Sequence, residues 1–189
     1  MKRLEDEVIP AAASMASDLT VPLDLDQQIV LSAWVLKRAM VWECLGDEAR
    51  PLFYRDEERR ALRASRIIPI NTEIWLARYV RGSDLYAFGN DGSPDADNLD
   101  QTVAAFLWTL GFGHLLVQIM SLRSARNAGD RLIVEPVKGP WSDCSIRVWP
   151  PAVHGVTWPP KLTVGREVPF DDFRVRWRRS PDWLTSGQQ

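Results

Sequence analysis

Apolar and polar positions alternate with two different periods in the two parts of this chain. Up to about residue 66 the period is that of helices. Residues 2–16 read as a short opening helix in which Pro10 marks a kink or boundary, and 17–22 as a connector. A long helix starts near Asp24 or Asp26, either of which can cap its first turn, and runs to about Leu45, with Gly46 as its stop. Gln27, Gln28, Ser32, Arg38 and Glu43 fall within half its circumference. Ile29, Val30, Ala33, Trp34, Leu36, Met40, Val41 and Leu45 cover much of the rest. So wide an apolar surface predicts a central, buried helix with Trp34 and Trp42 in the core. Residues 51–54 form a connector. The run from Asp56 to Arg63, acidic first and basic last, suits a short helix with a solvated face.

Beyond residue 66 the period shortens to that of strands. Glu73–Val80 is rich in β-formers, with 84–88 as its neighbour and Gly89-Asn90-Asp91-Gly92-Ser93-Pro94 as a loop. Thr102–Leu122 is nearly long enough to span a bilayer, but His114, Gln118 and the Gly111-Phe112-Gly113 interruption favour a hairpin of buried strands. Strands follow at 131–137 and at Ser145–Trp149. Lys161–Val164 precedes a turn at Gly165, and Phe173–Arg179 alternates apolar with basic residues as an edge strand does. Helices first and strands later predict an α+β domain, its N-terminal helices packed on a mostly antiparallel sheet. The whole chain, 1–189, reads as one domain, with a mainly helical layer at 1–66, a mainly β layer at 73–179 and a tail at 180–189.

Two copies of Trp-Pro-Pro, Trp149-Pro150-Pro151 and Trp158-Pro159-Pro160, punctuate the β part. Proline pairs forbid helix and predict an extended, polyproline-like segment presenting two aromatic faces, either a stacking platform or two plugs for a core.

Composition and charge refine this picture. The 189 residues are 46% hydrophobic and 25% charged, ordinary for a soluble globular protein, but nine are tryptophan. Residues 1–100 carry 12 basic and 18 acidic side chains, and residues 101–189 carry 11 and 7, so the second part is positive. Arginine outnumbers lysine 19 to 4, and guanidinium is the better phosphate ligand. The acidic start lacks the character of a signal peptide, which makes the cytoplasm the expected location and a membrane an unexpected partner.

No residue set announces catalysis, a metal or a cofactor. His114 reads as a turn histidine and Cys44 as an inert buried thiol. A Cys144/His154 nucleophile–base pair is the best hydrolytic alternative. Asp91, Asp95, Asp97 and Asp100 form an acidic loop rather than an EF-hand. The stronger pattern is aromatic plus basic. Trp149, Trp158 and Trp177, with His154, Arg147, Arg174, Arg176 and Arg178, suit an anionic, base-containing ligand such as single-stranded nucleic acid or a nucleotide. A partner protein or a second copy, anchored by exposed tryptophans, is the alternative.

Met1–Glu5, Trp34–Glu43, the stretch from Phe53-Tyr54 through Arg63, Ile74–Tyr79, Leu110-Gly111 with Leu115–Ile119, and Val156–Pro160 occur in this order. Together they resemble the domain that follows the zinc finger in bacterial and phage HNH endonuclease-like proteins. The finger's cysteines and the HNH histidines are absent here. The resemblance therefore implies an accessory binding role without cleavage, in a phage or defence setting.

Overall fold

The computed structural model describes residues 4–45, 52–80, 86–92, 103–124 and 139–174. The fold is α+β. Helices α1 (Leu4–Ala16) and α2 (Leu25–Glu43) lie on one face of a sheet, and α3 (Asp56–Ser65) follows them. Strands β2 (Thr72–Tyr79), β3 (Tyr86–Gly92), β4 (Val103–Phe112), β5 (Leu115–Ser124) and β6 (Ser145–Trp149) are ordered β3-β4-β5-β2-β6, every pair antiparallel. A separate ribbon joins β1 (Val21–Leu23) to β7 (Val156–Trp158), and β8 (Thr163–Val164) runs parallel to the end of β2. Two short helices, α4 (Trp141–Cys144) and α5 (Phe170–Arg174), are the remaining elements among the described residues.

Asp24 caps α2 through a reciprocal box: its carboxylate accepts from the Gln27 amide at 2.8 Å while the Gln27 side chain accepts from the Asp24 amide at 2.9 Å. The helix stops at Glu43, short of the expected Leu45, and Val41 and Leu45 are exposed instead of buried. Gln28 and Ser32, expected on the polar face, are fully buried. Trp34 and Trp42 pack on the core only partly buried. α1 continues through Pro10, whose carbonyl takes the Ser14 hydroxyl at 2.9 Å.

The 102–122 segment is the expected hairpin, with its turn at Gly113-His114. β5 is buried on both faces. Leu115, Val117 and Ile119 meet the helices, while Leu116, Met120 and Leu122 face the other side. That explains a nearly continuous apolar run without alternation. β3 pairs with β4, not with β2, and takes in Gly89–Gly92, which the residue types had suggested as loop. The expected strand at 131–137 lies outside the described residues. Of the expected strand Phe173–Arg179, Phe173 and Arg174 instead belong to α5, with Phe173 buried on the sheet's second face, and residues 175–179 lie outside the described residues.

Between α2 and α3, Phe53 and Tyr54 turn inward against Phe106, with ring centroids 5.1–5.6 Å apart. The Tyr54 hydroxyl lies 2.8 Å from the Ser121 hydroxyl, itself 2.9 Å from that of Thr72. Complete burial pushes the phenol's pKa far upward, so it stays protonated. Four charges hold this connector. Arg59 donates to Glu43 at 2.5 Å, and Glu43 accepts from the Phe53 amide; Arg123 donates to Glu58 at 2.6 Å and to the Phe53 carbonyl. The inward side of α3 is thus structural, whereas Arg60 and Glu57 make the exposed pair expected of a solvated face.

Candidate functional site

The two Trp-Pro-Pro copies bracket a loop laid across the start of α2. Ser32 donates to the Val148 carbonyl at 3.2 Å, just before the first copy. Gln28 then grips Ala152, just after it. Its Oε1 accepts from the Ala152 amide at 2.8 Å, and its Nε2 lies 3.1 Å from the Ala152 carbonyl, with the Leu23 and Asp24 carbonyls at 3.3 and 3.2 Å. Gln28 and Ser32 are four residues apart, so one helix face presents both to the loop. The loop closes at Gly155, whose amide donates to Ala152 at 3.1 Å and whose φ is +74°. A Cβ there would also sit 3.0 Å from the Leu23 carbonyl, so two constraints select glycine. β7 then pairs with β1, matching Leu23 to Val156 and Val21 to Trp158. Both Trp–Pro peptide bonds are cis.

Trp158 is 0% exposed and packs in the main core, so it is a plug and offers no stacking face. Its indole Nε1 is buried without a hydrogen-bond partner. Trp149 is half-buried on the same cluster. An extra residue in β6 explains its direction: Ile74 pairs with Trp149 and Trp75 with Arg147, leaving Val148 unmatched. Such a bulge re-aims the side chains beside it, and both Val148 and Trp149 reach the helix-side core. The two tryptophans therefore do not form an exposed pair.

What the loop exposes is its tip. Val153 is 80% accessible, His154 is exposed beside it, and Leu25, Asp24 and Asp26 at the start of α2 are also exposed. Arg147 is exposed on β6, an edge of the described sheet. Arg174 ends α5, but its side chain, like Arg176, Trp177 and Arg178, lies outside the described residues. The structure thus holds Trp149, Trp158, His154 and Arg147 around one strand and its loop, but only His154 and Arg147 face outward.

Cys144 and His154 do not form a catalytic pair. Cys144 is buried on the second sheet face among Ala77, Leu116, Val164 and Phe173, and His154 is exposed beyond the other end of β6. The whole of β6, roughly 16 Å of strand at the usual rise, and residues 150–153 lie between them in the chain. Cys44 is exposed rather than buried, and Arg59 donates to its Sγ at 3.3 Å. His114 is the turn residue expected: its amide donates to Ala16 at 2.9 Å and its Nδ1 lies 3.1 Å from the Tyr79 carbonyl. Of the acidic loop, Asp91 falls within β3, while Asp95, Asp97 and Asp100 lie outside the described residues. Among the described residues no three His, Cys, Asp or Glu side chains gather as a metal site, and no helix is long and apolar enough to cross a membrane.

No family model, curated protein or solved structure matches the chain.

Proposed function

We propose that the protein is a non-catalytic binding domain whose working surface is the loop tip around Val153 and His154, and that it engages another protein. The carrying observation is the anchorage. Gln28 and Ser32, both fully buried, hold a loop whose tip places an 80% exposed valine in solvent. A pre-organised loop loses little freedom on binding, so a small apolar contact translates efficiently into affinity. Its charged neighbours Asp24 and Asp26 oppose a phosphate backbone and suit a partner with basic groups around an apolar pocket. This fits the accessory role implied by the resemblance to the domain beyond the HNH zinc finger.

A photoreactive phenylalanine derivative in place of Val153 tests it, with the same group in place of Arg63 on the exposed side of α3 as control. Cross-links to one defined protein, or to a second copy, from position 153 alone support the reading. Equal labelling from both positions, or none from 153, refutes it.

A second reading, binding of single-stranded nucleic acid or a nucleotide, draws on the positive second part of the chain and on Arg147 exposed at the sheet edge. It predicts oligonucleotide affinity that falls steeply with salt and weakens in Arg147→Ala. No binding at low salt removes it.

A further inference from the structure

We infer that α1 is an electrostatically latched strap that opens as a unit, leaving the rest of the fold intact, and opens more often as ionic strength rises. The helix packs across α2, β1 and β5. It buries three side chains, Val8, Ala12 and Met15, one helical stripe along its length. Around that stripe, two ion pairs fasten the helix to two different parts of the body, and a third pins the connector behind it. Lys37 of α2 donates to Glu5 at 2.5 Å. Arg66, the left-handed cap residue after α3, donates to both oxygens of Glu7 at 3.0 and 2.6 Å. Arg78 of β2 pairs with Asp18 in the connector.

All three pairs are partly open to solvent, with side-chain exposures between 24% and 45%. Charges placed like this respond to salt, whereas the apolar stripe does not weaken with it. The connector's Asp18 is also incompletely satisfied: one carboxylate oxygen meets Arg78 and the other, Oδ1, is buried without a hydrogen-bond partner. Asp18 has a φ of +63° and lies between the helix and β1, which the β7 ladder holds in place. That is where a hinge would fall, so α1 can lift while β1 stays paired.

A fourth contact is steric. The β4–β5 turn abuts the end of α1, where His114 donates its amide to the Ala16 carbonyl at 2.9 Å, and a Cβ on Gly113 would lie 2.4 Å from that same oxygen. An alanine there forces the end of α1 or the turn to shift and adds the turn's own strain at a φ of +58°, so Gly113→Ala acts as a wedge at this contact.

Amide hydrogen exchange by mass spectrometry on the full chain reads the opening directly. The two part-exposed pairs on the helix, screened between about 0.05 M and about 1 M NaCl, correspond to about a fivefold rise in the exchange of α1 amides, with α2 amides unchanged. Glu7→Gln reduces that salt response. Gly113→Ala raises α1 exchange at every salt concentration and leaves the response in place. If α1 and α2 amides exchange in step, or α1 exchange is indifferent to salt, the strap does not exist.

Discussion

Replacing Gln28 by leucine removes the loop's anchor while keeping nearly its volume. The wild-type amide accepts from Ala152 N–H at 2.8 Å. Its Nε2 has three carbonyls within 3.1–3.3 Å but only two hydrogens, so two donated bonds are made at once. Three hydrogen bonds at about 1 kcal/mol each give a loss of about 3 kcal/mol. The residue is fully buried, so water cannot replace the lost partners without entering the core. Some of the loss is offset because leucine is cheaper to bury than an amide, which leaves about 2–3 kcal/mol. Urea unfolding followed by circular dichroism measures the change, and hydrogen exchange locates it: Ala152 and Gly155 amides should lose protection before those of β4 and β5. A loss below about 0.5 kcal/mol, or unchanged protection in the loop, would refute the anchoring role.

Trp158→Ala should cost about 3–5 kcal/mol by emptying a core site, a stability effect that a surface stacking residue would not show. His154→Ala, at an exposed tip, should change stability by less than about 0.5 kcal/mol in the same denaturation assay. Glu43→Ala leaves the Phe53 and Tyr54 amides and Arg59 without their acceptor, and denaturant midpoints should report a loss of about 2–4 kcal/mol. The hydrogen bond from Lys37 holds the Glu5 carboxyl below its ordinary 4.5. Its contribution is therefore present above about pH 4.5 and fades as acid protonates the folded form. Glu5→Gln should flatten that part of the acid limb of stability, and an unchanged limb would show that the pair does not contribute.

The sequence pattern carried the architecture well where periodicity was strong. An acidic N-cap at the start of α2, resolved to Asp24 from the two candidates Asp24 and Asp26, the charged helix from Asp56 and the glycine turn of the 102–122 hairpin all formed, because each depends on neighbours a few positions away. A helical wheel places Gln28 and Ser32 on the polar face because it sorts residues by polarity. Here the buried face needs two polar groups to satisfy a loop 116–124 residues further on. Their four-residue spacing beside Leu31, Val35 and Leu36 was the available signal. β1 and β7, three residues each, are too short to show a period. Their pairing also joins positions 133–137 residues apart. Trp158 illustrates the same limit, since its residue type suits either a platform or a plug. Only the tertiary contacts of its strand decide between them.

Trp158 lies inside the core and the loop tip outside it. Labelling with 5-fluorotryptophan, with Trp158→Phe to assign the resonance, measures this through the shift on exchanging H₂O for D₂O. The prediction is no solvent-isotope shift at Trp158 and no change when a single-stranded oligonucleotide is added at low salt. A full solvent shift, or a resonance that moves with the oligonucleotide, would contradict the account and return the Trp-Pro-Pro pair to the role of a stacking platform.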